Sequence, residues 1–181
     1  PHEIAKNIQF AGWHPANNVE PSLSAEQFLA VVRDCGEKTC LEFPIGNVIF
    51  ETAGWISHPR FSPDGKKIAF IEHPLNYDDR GFVVLLDLEG TGITRILTKS
   101  SVSILGLAWA NDEIWFTKSY QGTARMLTAV NLKGEERTVY RGMGTLTLCD
   151  ISKRGEVLVT DDKMRVQTAA GRANEGIERN L

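Results

Sequence analysis

The feature that most constrains this chain is a recurrence. Trp13, Phe61, Trp109 and Ile151 each close a short apolar segment, and a turn follows each one: Trp13-His14-Pro15, Phe61-Ser62-Pro63-Asp64-Gly65, Trp109-Ala110-Asn111-Asp112 and Ile151-Ser152-Lys153-Arg154-Gly155. Successive members stand 48, 48 and 42 residues apart. Within each interval lie short β-rich segments bounded by Gly, Pro, Asn, Asp or Ser, the residues that reverse or interrupt a chain. They fall at 7–13, 28–33, 39–43 and 48–51; at 58–62, 67–72, 82–88 and 94–97; at 104–110, 113–117, 125–132 and 137–140; and at 146–152, 156–160, 164–169 and 178–181. Asp87-Leu88-Glu89-Gly90 and Asn131-Leu132-Lys133-Gly134 match each other as a strand end running into a tight turn.

Four short strands repeating at roughly 40–50 residues is the period of a propeller blade. One blade cannot bury both faces of its small sheet, so blades must stack around an axis and cover one another. The expectation is therefore an all-β protein, a single β-propeller domain of four-stranded antiparallel blades. The blades fall at about 4–54, 55–99, 100–142 and 143–181. Four lies at the lower end of the usual range of about 4–8. The chain either closes alone or forms part of a larger ring, and an open array would pair with a second copy through its exposed blades. Residues 14–26 read as an insertion in the first blade, a loop with at most one helical turn, Ser24 standing as its N-cap and Gln27 at the capping-box position. Trp13, Trp109, Trp115 and Cys149 are expected in the core.

Composition narrows the functions. Hydrophobic residues make up 42% of the 181 and charged residues 24%, an ordinary globular balance. The formal charge of −3 lacks the basic footprint of a nucleic-acid binder. No segment approaches the roughly 20 apolar residues that span a bilayer, so no direct membrane contact is expected. No signal-type apolar stretch follows Pro1, and the chain reads as a mature or excised piece.

Catalytic patterns are missing. G-x-S-x-G does not occur, Gly54-Trp55-Ile56-Ser57-His58 lacking the second Gly and falling between strands; the histidines at 2, 14, 58 and 73 show no H-E-x-x-H spacing. The chain is read as non-enzymatic, with no cofactor. Asp78-Asp79 and Asp161-Asp162 offer hard oxygen atoms suited to Ca²⁺, but they equally read as solvated turn carboxylates, and the loop pattern of a Ca²⁺ site is missing, so no metal is assigned. Cys35 and Cys40 flank Gly36–Thr39; if those four residues form a hairpin loop, the two thiols face each other and either bridge or stay reduced.

The richest local feature is the segment His73–Gly81, read as a loop between second and third strands. It holds His73, Asn76, Tyr77, Asp78, Asp79 and Arg80 within nine residues. The matching loops of later blades are 118–123, with Tyr120, and 161–163, with Asp161; segments between blades add Trp55, His58, Lys99 and Ser101. Such loops rim one face of a propeller, and a polar, aromatic rim suits a peptide, protein or small-molecule ligand.

The run Ser62-Pro63-Asp64-Gly65-Lys66-Lys67-Ile68-Ala69-Phe70 resembles the repeat signature of TolB-like, WD-related β-propellers. A longer pattern, from Leu41–Gly46 through Glu51–Pro63 to Asp78–Gly81 and Gly144–Ser152, is similar to the C-terminal propeller region of bacterial serine/threonine protein kinases. That resemblance implies a sensor or interaction module of a membrane-anchored kinase, placed outside the cytoplasm, in the periplasm. The kinase's own Gly-rich loop, H-R-D and D-F-G motifs are missing from these residues. An accessory propeller of a peptidase-type hydrolase, or a structural assembly unit, are the other readings.

Overall fold

The computed structural model describes residues 5–15, 25–89, 92–122, 124–142, 144–163, 169–172 and 176–180. Strands β1 (Ile8–Trp13), β2 (Leu29–Asp34), β3 (Thr39–Glu42) and β4 (Val48–Thr52) form a four-stranded antiparallel sheet in chain order. Strands β5 (Trp55–Phe61), β6 (Lys67–His73), β7 (Phe82–Asp87) and β8 (Thr94–Ile96) form a second of the same kind. A third set, β9 (Ile104–Ala110), β10 (Glu113–Gln121), β11 (Ala124–Asn131) and β12 (Glu136–Arg141), repeats the antiparallel pattern. Strands β13 (Thr145–Ile151) and β14 (Val157–Asp162) begin a fourth set, joined to the third by one parallel bridge, Arg125 to Thr145. Strands β15 (Ala169–Arg172) and β16 (Gly176–Asn180) pair with each other.

The middle of the second sheet shows why these segments are strands and why they stack. β6 is buried almost throughout because side chains alternate between its two faces and both faces are covered. Ile68 and Phe70 join Ala30, Val32, Leu41 and Ile56 in a core shared with the first sheet. Ala69 and Ile71 join Leu107, Ile114 and Phe116 in a core shared with the third. The pattern repeats one strand over, with Val84 and Leu86 on one side and Val83 and Leu85 on the other. Each fully buried side chain of this size removes enough apolar surface from water to stabilise by about 1.5–3 kcal/mol. The first strands run side by side around the stack, β1 on β5, β5 on β9, β9 on β13. The Trp109 indole donates to the Arg60 carbonyl at 3.0 Å across one of these seams.

The turns after β5 and β13 share a frame. At Ser62 the Gly65 amide donates to the Ser62 carbonyl at 2.9 Å, Gly65 has φ +74°, and the Ser62 hydroxyl accepts from the Lys67 amide at 3.0 Å. At Ser152 the Gly155 amide closes the same turn at 2.9 Å, and the Ser152 hydroxyl accepts from the Glu156 amide at 3.1 Å. Ser and Gly are the two residues the turn uses, which is why the degenerate copy at 151–155 still folds it.

Several expectations need correction. Trp13 is 53% exposed rather than in the core. Gly12 is the residue pressed on β5, where an added Cβ would lie 2.5 Å from the Pro59 carbonyl oxygen, and strand alternation turns Trp13 the other way. Cys149 is half-buried on β13. Trp55 and His58 are inside β5, which starts three residues earlier than its apolar pattern indicates. β10 extends through Tyr120, and Asp161 and Asp162 end β14, so none of the three is in a loop. A strand lies at Ala169–Arg172, and the segment expected at 164–169 lies outside the described residues up to 168. A 3₁₀ turn at Ala25–Gln27 lies at the end of the 14–26 insertion, where a helical turn was expected; Ser24 itself is outside the described residues.

Candidate functional site

The connection between β6 and β7 is fixed from below by buried polar groups. His73 is the last residue of β6 and wholly buried, not a loop residue. Its Nδ1 faces the Arg80 carbonyl at 3.1 Å, so Nδ1 carries the proton and donates. Its Nε2 then accepts from the Ser57 hydroxyl at 2.9 Å. The same hydroxyl accepts from His58 Nδ1 at 2.9 Å. A bulge in β5 between Ser57 and Arg60, with His58 at φ +53°, lets two successive side chains meet there. Burial holds the His73 pKa down to about 4 against the opposing pull of the Arg80 carbonyl, and burial, then Arg60, then His73 hold His58 at about 4. Burial keeps both rings uncharged at neutral pH, and the accepting role of His73 Nε2 requires that ring to be neutral.

Trp55 lies flat on His73, ring centroids 3.6 Å apart and planes 6° from parallel. Its indole N–H donates to the Asp78 carbonyl at 3.1 Å. The Asp78 carboxylate accepts from the Arg80 amide at 2.7 Å, an Asx turn that tightens the loop. The Asp79 carbonyl accepts from the Ile104 amide at 3.0 Å, and the Asn76 side-chain amide donates to the Ala53 carbonyl at 3.4 Å. These ties leave Tyr77 at the crest, with φ +62° and its side chain fully exposed.

Opposite this loop stands the β2–β3 turn. Cys35 donates its amide to the Lys38 carbonyl at 2.8 Å, and Asp34 pairs with Thr39. The turn is therefore shorter than the four-residue loop read between the cysteines. Cys40 pairs across the strands with Arg33, so Cys35 sits diagonal to it rather than opposite. The two cysteines are joined as a disulfide, Cα atoms 6.0 Å apart. The thiol of Cys149 is free.

Between turn and loop lies an open cleft of about 620 Å³. The first sheet contributes Gln9, Asp34, Glu37, Lys38 and Thr39; the second contributes Trp55, Asn76, Tyr77 and Asp79. Three of the eight rim residues singled out in the sequence, Asn76, Tyr77 and Asp79, meet here. Asp78 and Arg80 shape the loop, and His73 backs its Trp55 wall. Tyr120 lies on β10, and Asp161 lies on β14, apart from the cleft lining. The β2–β3 side was missed, although it is a second-to-third-strand connection like 74–81, and the repeat alone places both on one face. A smaller cleft of about 380 Å³, lined by Asp64, Lys67, Trp109 and Asp112 among others, lies between the second and third sheets at the other end of the strands. Among the described residues, no three His, Cys, Asp or Glu side chains gather closely enough to hold a metal ion. None of their helices is long and apolar enough to cross a membrane.

No protein-family model and no curated protein matches the chain. Solved structures do. TolB from Acinetobacter baumannii superposes with a TM-score of 0.53 at 16% identity, over 76% of this chain and 33% of that one. A prolyl endopeptidase, from work on inter-domain dynamics in catalysis and specificity, superposes with a TM-score of 0.54 at 17% identity, over 72% of this chain and 24% of the other. The chain thus spans a third or less of each protein's length, and at these identities the likeness concerns architecture. The fold is an all-β propeller of four-stranded antiparallel blades, of the kind found in TolB.

Proposed function

We propose that this chain is a non-catalytic recognition module that binds a polypeptide segment in the cleft between its first two blades. The observation that carries the reading is the placement of Tyr77. A fully exposed tyrosine in the left-handed region is held there by hydrogen bonds from Trp55, Arg80 and Ile104 to its two successors. An aromatic side chain on a fixed backbone crest beside a cleft offers a partner a large contact at low entropic cost. The repeat resemblance to the C-terminal propellers of bacterial serine/threonine kinases supports a sensor role, with binding coupled to a distant domain by clustering or reorientation. The Cys35–Cys40 bridge supports a setting outside the cytoplasm, where such bonds persist.

Selection of displayed random peptides against the chain tests this. Enriched peptides should lose binding to the double variant Tyr77→Ala, Asp79→Ala, whose melting temperature stays near that of the parent. Failure to enrich any peptide, or binding that survives the double variant, would overturn the proposal. A second reading, an accessory propeller beside a peptidase domain, draws on the likeness to the prolyl endopeptidase. Sequence flanking these 181 residues separates the two: a kinase domain and membrane span on one side, a hydrolase domain with a nucleophile elbow on the other.

A further inference from the structure

The cleft has a sign. Its lining carries three carboxylates, Asp34, Glu37 and Asp79, against one cation, Lys38. The Lys38 ammonium is already paired with Glu51, which does not line the cleft. Asp34, Glu37 and Asp79 are all exposed to solvent. Asp34 accepts one hydrogen bond, from the Gln9 side-chain amide at 2.8 Å, and that partner is uncharged. The cleft therefore presents negative charge that its own lysine does not cancel.

The aromatic wall has matching chemistry. One face of Trp55 is covered by the uncharged His73 ring and its N–H is spent on the Asp78 carbonyl. What the indole offers the cleft is its remaining π surface, which attracts a cation. Tyr77 adds a second ring on the rim. Carboxylates spread over two blades, not gathered at metal-ligating distance, suit an elongated organic cation.

We propose that this cleft binds a Lys- or Arg-bearing segment of a partner polypeptide, its charge held by Asp34, Glu37 and Asp79 and its alkyl stem or guanidinium plane lying against Trp55 and Tyr77. The inference rests on the recognition-module reading and adds the class of partner. A cleft of about 620 Å³ accommodates one or two such side chains with their backbone.

Three acetylated twelve-residue peptides test it by calorimetric titration: one with alternating Lys and Gly, one with Glu in place of Lys, one with Gln. The Lys peptide should bind, weaken as NaCl rises from about 0.05 to 0.3 M, and outbind the Gln and Glu peptides. Glu37→Gln and Asp79→Asn should each weaken it about 2- to 5-fold, the worth of an exposed ion pair. Tyr77→Ala should cost about the same, while Glu89→Gln, remote from the cleft, should change nothing. Equal binding of the three peptides, affinity unmoved by the charge-neutralising variants, or calcium chloride titrating the same carboxylates more tightly than the Lys peptide would each overturn the proposal. The display selection keeps the two claims apart. Tyr77-dependent binders without Lys or Arg would sink the charge inference and leave the module standing; the lack of any Tyr77-dependent binder would sink the module.

Discussion

At the scale of single residues, the Ser57–His73–His58 chain sets the acid limit of the fold. In the unfolded chain both imidazoles titrate near 6.5; in the folded protein they titrate near 4. Between those values the unfolded state binds more protons, so stability falls as the pH drops from about 6.5 toward 4 and is unaffected by these groups above that window. Each ring contributes a slope of at most about 1.4 kcal/mol per pH unit. Urea denaturation at pH 7, 6, 5 and 4 should show this decline, and the double variant His58→Gln, His73→Gln, though less stable at pH 7, should show a flatter one. A parent protein equally stable at pH 7 and 5 would contradict the buried, neutral assignment. His73 also shows what a sequence hides. A histidine at a strand end beside Pro74-Leu75-Asn76 looks like loop chemistry, and only the bulge in β5 reveals that it is the buried floor of the loop.

At the scale of elements, close approach and cross-linking decide the geometry. Gly106 on β9 has φ +64°, and an added Cβ would lie 2.0 Å from the Leu148 carbonyl oxygen of β13. Gly106→Ala should therefore cost at least about 2 kcal/mol, from backbone strain and a forced separation of two first strands; a loss under 0.5 kcal/mol by urea denaturation would show that β13 does not sit there. The β2–β3 turn yields to chemistry: iodoacetamide on the denatured, unreduced chain should add one label, at Cys149, and three after reduction. Three labels without reductant would refute the bridge. The elements themselves were largely legible. β9 occupies the residues its pattern indicates, and the turn after β5 is legible in Ser62, Pro63, Asp64 and Gly65 because the Ser62 and Asp64 side chains accept the turn's hydrogen bonds, Pro63 fixes φ and Gly65 takes a positive φ. Strand ends were less legible where a hydrogen-bonded ladder outruns the apolar pattern, as from Lys118 to Gln121 in β10. The cleft was half legible. The segment 74–81 announces itself by composition, whereas Asp34, Glu37 and Lys38 look like ordinary turn residues until the stacking of two sheets sets them across from Tyr77.

At the scale of the whole molecule, the fourth set is the weak flank. Val157, Leu158 and Val159 of β14 are exposed, Leu158 by 63%, and among the described residues β14 pairs with β13 alone. An apolar edge of this kind favours association. Light scattering should show the average mass rising with concentration, less so for Leu158→Asp; a strictly monomeric parent would argue against pairing through this edge. The links between blades have another consequence. The Ile104 amide holds the Asp79 carbonyl, and Gly81 and Ser101 exchange two backbone hydrogen bonds beside it. A guest that tugs on Tyr77 therefore loads a thread stitched into the third blade's leading strand, and the pull is felt one seam beyond the place where it is applied.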